Sequence, residues 1–230
     1  MMDIEKLEGK TSEFCVLESH SIQTVLDVDE DKYELYRSLL PKNLEMPEVP
    51  KIMLYFIDNA KMAFPSLNPY LEGGILIRVN FPNYKGGWHV LNMAVDDEMA
   101  LNAGIGVGYP KYISDVLRLD ETKDGWEGQV KHADNYIFDF SFTFKDAIVP
   151  WKDTIHLWDP FYLPLKRFPR LYIIEVKKTQ KKWEMRLGIA KIKITTNEVW
   201  GDLFNMKNMT FPALYDEFEG KLCLNYKLYK

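Results

Sequence analysis

The sequence predicts a mostly β protein of the α+β class, an antiparallel β-barrel of about seven or more strands with a few peripheral helices. Two observations lead to this prediction: seven segments are rich in β-branched and aromatic residues, and only two show the pattern of a helix. No internal repeat, low-complexity tract or linker divides the chain. With 230 residues and 47% hydrophobic content, we expect a single domain covering residues 1–230.

The strand segments are distributed along the whole chain. The clearest is NYIFDFSFTF at 135–144, where apolar and polar residues alternate as in a half-buried strand. The other six are KIMLYFI (51–57), GGILIRVNF (73–81), WHVLNMAV (88–95), RLYIIEV (170–176), MRLGIAKIKITT (185–196) and KLCLNYKLY (221–229). Since many antiparallel strands with little helix must hide their edges, we expect a closed barrel or a sandwich, and favour the barrel.

Two segments carry helix signals. Residues 29–41 place Tyr33, Tyr36 and Leu39 on one face and stop at Pro41, while residues 96–104 begin with acids and end at a glycine. Between the strands, residues 149–170 are rich in prolines and aromatics. We interpret them as a long ordered connection that covers one end of the barrel.

Composition excludes several classes of function. A net charge of -5 with interspersed acids and bases gives no basic face for nucleic acid. No apolar run reaches the ~18 residues of a membrane helix, and the charged start does not resemble a signal peptide. Cys15 and Cys223 are too few for a disulfide framework, and no two histidines have metal-ligand spacing. We therefore expect a cytoplasmic protein without metal, cofactor, membrane or nucleic-acid partner.

The stretch GIGVGYPKYISDV at 104–116 combines glycines with one lysine. A dinucleotide loop needs G-x-G-x-x-G between a strand and a helix, whereas this G-x-G-x-G follows a helix, so we interpret the glycines as permitting a turn and close approach to other backbone. Pro110 restricts the direction in which Lys111 leaves the chain. Local sequence alone leaves two alternatives, a positioned amine or, more commonly, a surface lysine after a turn.

Two tracts taken together resemble the acetoacetate decarboxylase family. Gly104 followed by GYPK (108–111) is similar to the tract G-R-E-x-x-G-[FY]-P-K, which contains the Schiff-base lysine of that family. Upstream, PYLEGG (69–74) is similar to its Y-x-E-G-like element at the start of a strand. A strand, an acidic turn and an alanine-containing helix separate the two tracts, as in the family, and the detailed match covers roughly residues 69–113.

The resemblance implies an assignment of site residues. Lys111 is implied as the Schiff-base nucleophile and Glu72 as the group that orients the substrate or relays a proton. Tyr70 is implied as a hydrogen-bond donor to the substrate, and Tyr112 is either a pocket hydroxyl in contact with substrate or core packing. Without the resemblance, Glu72 reads as an exposed turn residue. The family further implies a keto acid substrate, decarboxylation without a cofactor, and assembly into a homo-oligomer.

The sequence also departs from the family pattern. Tyr112 stands where the family has a second lysine, Ile105 and Gly106 replace its Arg-Glu pair, and only His20 or its neighbours lie near the position of its N-terminal arginine. Desolvation alone is therefore expected to lower the pKa of Lys111 from about 10.4 to near 6. The differences favour a larger keto acid over strict acetoacetate specificity. The alternatives are aldolase or dehydratase chemistry through the same iminium, or a barrel that only binds a small molecule.

Overall fold

The computed structural model describes residues 11–42, 44–63, 68–81, 84–106, 108–133, 135–148, 161–164, 171–204 and 209–228. In this part of the chain there are two α-helices, α1 (Tyr33–Leu39) and α2 (Glu98–Gly106), and short 3-10 turns at Glu30–Lys32 and Val199–Leu203. The strands are β1 (Thr11–Asp27), β2 (Lys51–Met62), β3 (Tyr70–Phe81), β4 (Tyr84–Val95), β5 (Lys111–Ile113), β6 (Val116–Thr122), β7 (Gly125–His132), β8 (Asn135–Ile148), β9 (Phe161–Pro164), β10 (Leu171–Ile194) and β11 (Met209–Leu228).

The described strands form one curled mixed sheet. Ten strands follow the order β11-β1-β2-β3-β4-β9-β10-β8-β7-β6, β5 pairs with β4, and the sheet curls until β10 also pairs with β11. The prediction of a mostly β, barrel-like fold is confirmed, the observed form being a half-barrel. Two pairings, β4 with β5 and β4 with β9, are parallel. The first of them arises because α2 carries the chain back across the sheet between β4 and β5.

Both predicted helices are present, at α1 and α2, and α2 continues past Gly104 to Gly106. The two predicted strands at 170–176 and 185–196 are parts of the single long strand β10. The connection predicted at 149–170 lies outside the described residues, apart from the short strand β9. No helix in the described ranges is long and apolar enough to cross a membrane.

The first strand, β1, gave no strand signal in the sequence. One of its faces carries Ser19, Ser21 and Gln23, and each of these polar side chains is buried. Buried polar residues remove the apolar alternation by which a strand is detected. β1 pairs with β2 on one side and with β11 on the other, where Cys15 lies opposite Cys223.

The central strands β1 to β4 are packed on both faces, because successive side chains of a strand point to opposite sides. The face that includes Phe56 contributes to the large core shared with β8 and β10, and we call it the Phe56 face. The opposite face includes Tyr55, Leu76 and Met93, and we call it the Tyr55 face. Burial on both sides explains why 51–57 reads as a continuous apolar run.

Candidate active site

The turn between α2 and β5 positions the lysine. Gly108 has φ +95°, a backbone conformation that favours glycine. Its amide donates to the carbonyl of Ile105 at 3.1 Å, and the amide of Tyr109 donates to that of Gly104 at 3.0 Å, so these bonds close the helix. Pro110 then leads directly into β5, whose first residue is Lys111. The predicted turn is present at Gly108, whereas Gly104 and Gly106, which were expected to follow the helix, lie within α2.

Gly104 has a different function, because it lies against the aliphatic chain of Lys111. A Cβ at this position would stand 2.3 Å from Cδ and 2.6 Å from Cε of Lys111. These distances are far inside van der Waals contact, so only glycine leaves room for the lysine in its present conformation. By contrast, a Cβ at Gly106 would meet no heavy atom within 4 Å.

Lys111 reaches across the sheet to the PYLEGG tract. It lies beside Met93 of β4, which in turn lies opposite Gly74 of β3, so its side chain is on the Tyr55 face. Its Nζ is 2.7 Å from Oε2 of Glu72, and the two side chains are only 7% and 11% exposed. The two tracts singled out in the sequence therefore meet in a buried ion pair.

Tyr55 of β2 completes the surroundings of the carboxylate. Its hydroxyl donates to Oε1 of Glu72 at 2.9 Å, so each carboxylate oxygen has its own donor. Gly74 makes this approach possible, since a Cβ there would stand 2.7 Å from the Tyr55 hydroxyl. Sequence reasoning missed Tyr55, because only the register between β2 and β3 brings it to Glu72.

Two further tyrosine rings flank the amine. Nζ of Lys111 is 5.2 Å from the ring centre of Tyr70 and 5.8 Å from that of Tyr109, distances at which an aromatic face attracts a cation. Tyr70 also contributes to raising the pKa of Lys111. The amine thus lies among one carboxylate and two aromatic rings, an arrangement that stabilises positive charge on nitrogen.

The protonation of the site differs from the sequence-based expectation. Burial alone lowers the pKa of Lys111, but the Glu72 carboxylate and Tyr70 outweigh burial, so the pKa is raised. The expectation of a pKa lowered by desolvation is therefore wrong for this state, because a carboxylate stands 2.7 Å from the amine. Burial, aided by the Glu72 charge, raises the pKa of Tyr55 well above its usual range. Burial also raises the pKa of Tyr70 to about 12.

Tyr112, the other tyrosine proposed to contact substrate, lies on the Phe56 face. It follows Lys111 directly in β5 and therefore points to the opposite side of the sheet. Its hydroxyl donates to Oδ1 of Asn92 at 2.9 Å, its ring packs 4.6 Å from that of His132, and burial raises its pKa to about 12. The structure brings Lys111, Glu72 and Tyr70 together and leaves Tyr112 outside this cluster.

His20, the residue nearest in sequence to the family's N-terminal arginine, is also outside the cluster. Its Nδ1 is 2.9 Å from the hydroxyl of Tyr215, and its ring lies beside that of Trp126. Among the residues that the structure describes, no group of three histidine, cysteine or acidic side chains could hold a metal ion. The described site itself brings together an amine, a carboxylic acid and phenols.

Comparisons with known proteins identify the family and the fold of the chain. The family model for acetoacetate decarboxylase matches residues 25–180, more than half of the chain. Comparison with curated proteins gave no significant sequence match.

Solved structures with the same fold include an acetoacetate decarboxylase from Legionella pneumophila, with TM-score 0.74, 16% identity and coverage of 96% of this chain and 88% of that one. A second acetoacetate decarboxylase has TM-score 0.71, 17% identity and coverage of 94% and 88%. The enduracididine biosynthesis enzyme MppR, complexed with pyruvate, has TM-score 0.70, 15% identity and coverage of 94% and 90%. The chain belongs to the acetoacetate decarboxylase family.

Proposed function

We propose that the chain is a lyase that decarboxylates a β-keto acid, either acetoacetate or a larger keto acid, through a Schiff base on Lys111. One observation carries the proposal: a buried lysine amine lies 2.7 Å from a buried carboxylate in a member of this family. A lysine that is 7% exposed and paired in this way is uncommon unless it has a structural or chemical role.

The first step is proton transfer within the pair. The raised pKa means that Lys111 rests as an ammonium, which cannot attack a carbonyl. Oε2 of Glu72 is in hydrogen-bonding distance and takes the proton, which leaves a neutral amine beside a neutral carboxylic acid. A substrate carboxylate that binds nearer to Glu72 than to Nζ favours this transfer, because the two carboxylates repel each other and one of them then holds a proton.

The neutral amine next bonds to the keto carbon. Glu72, now protonated, donates its proton to the oxygen of the tetrahedral adduct, water leaves, and an iminium forms. The bond between the α-carbon and the carboxylate then breaks, its electron pair moves toward the iminium nitrogen, and carbon dioxide and a neutral enamine result. Protonation of the enamine carbon and hydrolysis release the ketone and restore Lys111.

The aromatic rings around Lys111 stabilise the positively charged iminium. The rings of Tyr70 and Tyr109 lie 5.2 and 5.8 Å from Nζ, where they attract the iminium as they attract the ammonium. The hydroxyl of Tyr70 is on the Lys111 side of the site and donates to the substrate. Its pKa of about 12 means that it keeps its proton at neutral pH.

A second candidate function is aldol, retro-aldol or dehydration chemistry through the same iminium. It is favoured by the position of Glu72, because a carboxylate beside an iminium can take a proton from the α-carbon, and both charges then disappear in one step. The neighbour MppR, which shares the fold, is found complexed with pyruvate, a keto acid that has no β-carboxylate to lose. The third candidate function is that of a barrel that binds a small molecule without converting it.

Borohydride trapping separates these candidates. The protein is incubated with acetoacetate, pyruvate and longer keto acids, reduced, and mapped by peptide mass spectrometry. We expect a reduced adduct on Lys111 that is absent from Lys111→Met and retained in Lys123→Arg, a change at an exposed lysine. Carbon dioxide release then distinguishes a decarboxylase from an aldolase. The lack of any adduct across the panel would contradict both enzymes and support the binding barrel.

Assembly into a homo-oligomer is proposed from family membership alone. Light scattering after size-exclusion chromatography measures the mass of the particle, and a monomer mass would contradict this proposal.

A further inference from the structure

We propose that Tyr55 is a positioning residue that controls where the proton lies between Lys111 and Glu72. The inference rests on the proposed function, because it concerns the same amine. Tyr55 belongs to neither of the two tracts that resemble the family, and it reaches the site from β2. It acts through Glu72 and does not itself touch the reacting nitrogen in this geometry.

The hydrogen bonds of Glu72 define the geometry of this control. Tyr55 donates to Oε1 at 2.9 Å, and Lys111 donates to Oε2 at 2.7 Å. Rotation of the carboxylate would break both hydrogen bonds. The two bonds together therefore keep Oε2 facing the amine. Gly74 holds open the space that the Tyr55 hydroxyl needs. The carboxylate is thus fixed in one orientation before substrate enters.

The same hydrogen bond stabilises negative charge on Glu72. A donor to a carboxylate favours the ionised form, and the effect is strong where water is excluded. Tyr55 is 2% exposed, and its raised pKa means that it stays a donor throughout the neutral range. It therefore favours the ammonium–carboxylate pair over the neutral amine and acid, and restrains the amine from reacting until a second anion arrives.

Other titratable groups also face this pair. Tyr70 on β3 and Tyr109 before β5 lie on the Lys111 side, where their rings flank Nζ. Asp97 precedes α2 and accepts a hydrogen bond from the amide of Ala100 at 2.8 Å. Its charge contributes to raising the pKa of Tyr70. Tyr55 differs from these groups because it bonds to the carboxylate oxygen that the lysine does not contact.

Tyr55→Phe tests the proposal with acetylacetone as an amine probe. The lysine nitrogen bonds to one carbonyl carbon of this β-diketone, water leaves, and the conjugated enaminone absorbs in the ultraviolet. The rate of this reaction is measured against pH from acid to neutral. A matched control is Tyr36→Phe, which removes the hydroxyl of another buried tyrosine, one that bonds to the backbone carbonyls of Lys51 and Arg78.

Loss of the Tyr55 hydroxyl should make Glu72 harder to ionise. A hydrogen bond to a charged group corresponds to roughly one to two pH units. The acid limb of the rate profile, where the rate rises with pH, should therefore move to higher pH by that amount. The neutral amine becomes more populated in the singly protonated pair, so the plateau rate should rise about tenfold or more. Tyr36→Phe should give a limb that coincides with that of the wild type.

The outcomes separate the inference from the proposed function. No enaminone on wild-type Lys111 overturns the proposed function. Reaction on the wild type with an unmoved or downward-shifted limb in Tyr55→Phe overturns the role of Tyr55 alone. A lower rate without a shift of the limb indicates a structural defect and also contradicts the proposal. In a Glu72→Gln background, removal of the Tyr55 hydroxyl should no longer move the limb, and a shift that persists there would show that Tyr55 does not act through Glu72.

Discussion

Gly104→Ala should slow the reaction of Lys111 with a keto compound while the protein stays folded. The new Cβ would lie 2.3 Å from Cδ and 2.6 Å from Cε of Lys111, whereas ordinary contacts begin near 3.4 Å. Part of the structure must therefore move by about 1 Å. The atoms in conflict belong to a flexible side chain and not to the backbone, so we expect the lysine to move and the helix to stay.

The magnitude follows from the two separate costs. Overpacking costs about 1–3 kcal/mol, and replacing a helical glycine by alanine recovers about 1 kcal/mol, so the free energy of unfolding should fall by no more than about 2 kcal/mol. For the chemistry, Nζ moves away from Glu72, which is 2.7 Å away and is the proposed acceptor of its proton, and a misplacement of about 1 Å at a reacting group costs about 100-fold in rate. We therefore expect adduct formation on Lys111 to slow by about two orders of magnitude.

The assay is the acetylacetone reaction at neutral pH, accompanied by thermal denaturation of each variant. Gly106→Ala is the matched control, because it changes a glycine of the same helix whose Cβ would meet nothing within 4 Å. Its rate should stay within a few-fold of the wild type. The reasoning would be refuted if Gly104→Ala reacted as fast as Gly106→Ala, or if its slower reaction were accompanied by loss of the folded state.

Two further predictions concern the fold around the site. Gly108→Ala places a side chain at φ +95° and should destabilise the protein by about 1–3 kcal/mol, and an unchanged midpoint of thermal unfolding would contradict this strain. Tyr36→Phe removes the two hydrogen bonds that the hydroxyl makes to the carbonyls of Lys51 and Arg78, and should cost about 1–3 kcal/mol at neutral pH. Burial raises the pKa of Tyr36, so above pH ~10 the unfolded chain loses this proton first and wild-type stability falls as the pH rises. The variant lacks this contribution. Its free energy of unfolding, measured by denaturant titration at several pH values above ~10, should therefore fall less steeply with pH, by up to about 1.4 kcal/mol per pH unit. An equal dependence on pH in the two proteins would refute this prediction.

The sequence was informative where burial produces a clear pattern. Apolar runs predicted β2, β3 and β4, and the alternation of apolar and polar residues predicted β8, since the inward residues of these strands are hydrophobic. β1 could not be detected, because its buried positions on one face are filled by serine and glutamine. The polar run KKTQKK at 177–182 divided β10 into two predicted strands, yet pairing with β11 continues along that run. Local polarity does not interrupt this strand, because the backbone pairing with β11 holds it on one side along the run.

At the site, sequence motifs predicted which tracts meet but not the arrangement between them. The positions of Lys111, Glu72 and Tyr70 follow from the two tracts, and the structure places their side chains together. Tyr55 depends on the register of β2 against β3, which no local motif encodes. The direction of the lysine pKa depends on a 2.7 Å distance, and only the folded chain shows this distance.

The alternation of β5 has a consequence for how substitutions beside Lys111 act. Tyr112 is a chain neighbour of Lys111, but the sheet separates their side chains, and the phenol packs against hydrocarbon of the Phe56 face. A charge at position 112 would therefore lie on the opposite face of the sheet from the Lys111 amine, although the two residues are neighbours in sequence. A lysine introduced at position 112 would bring an extra cation toward the hydrophobic interior, where its desolvation would weaken the fold without tuning the pKa of the Lys111 amine on the far side.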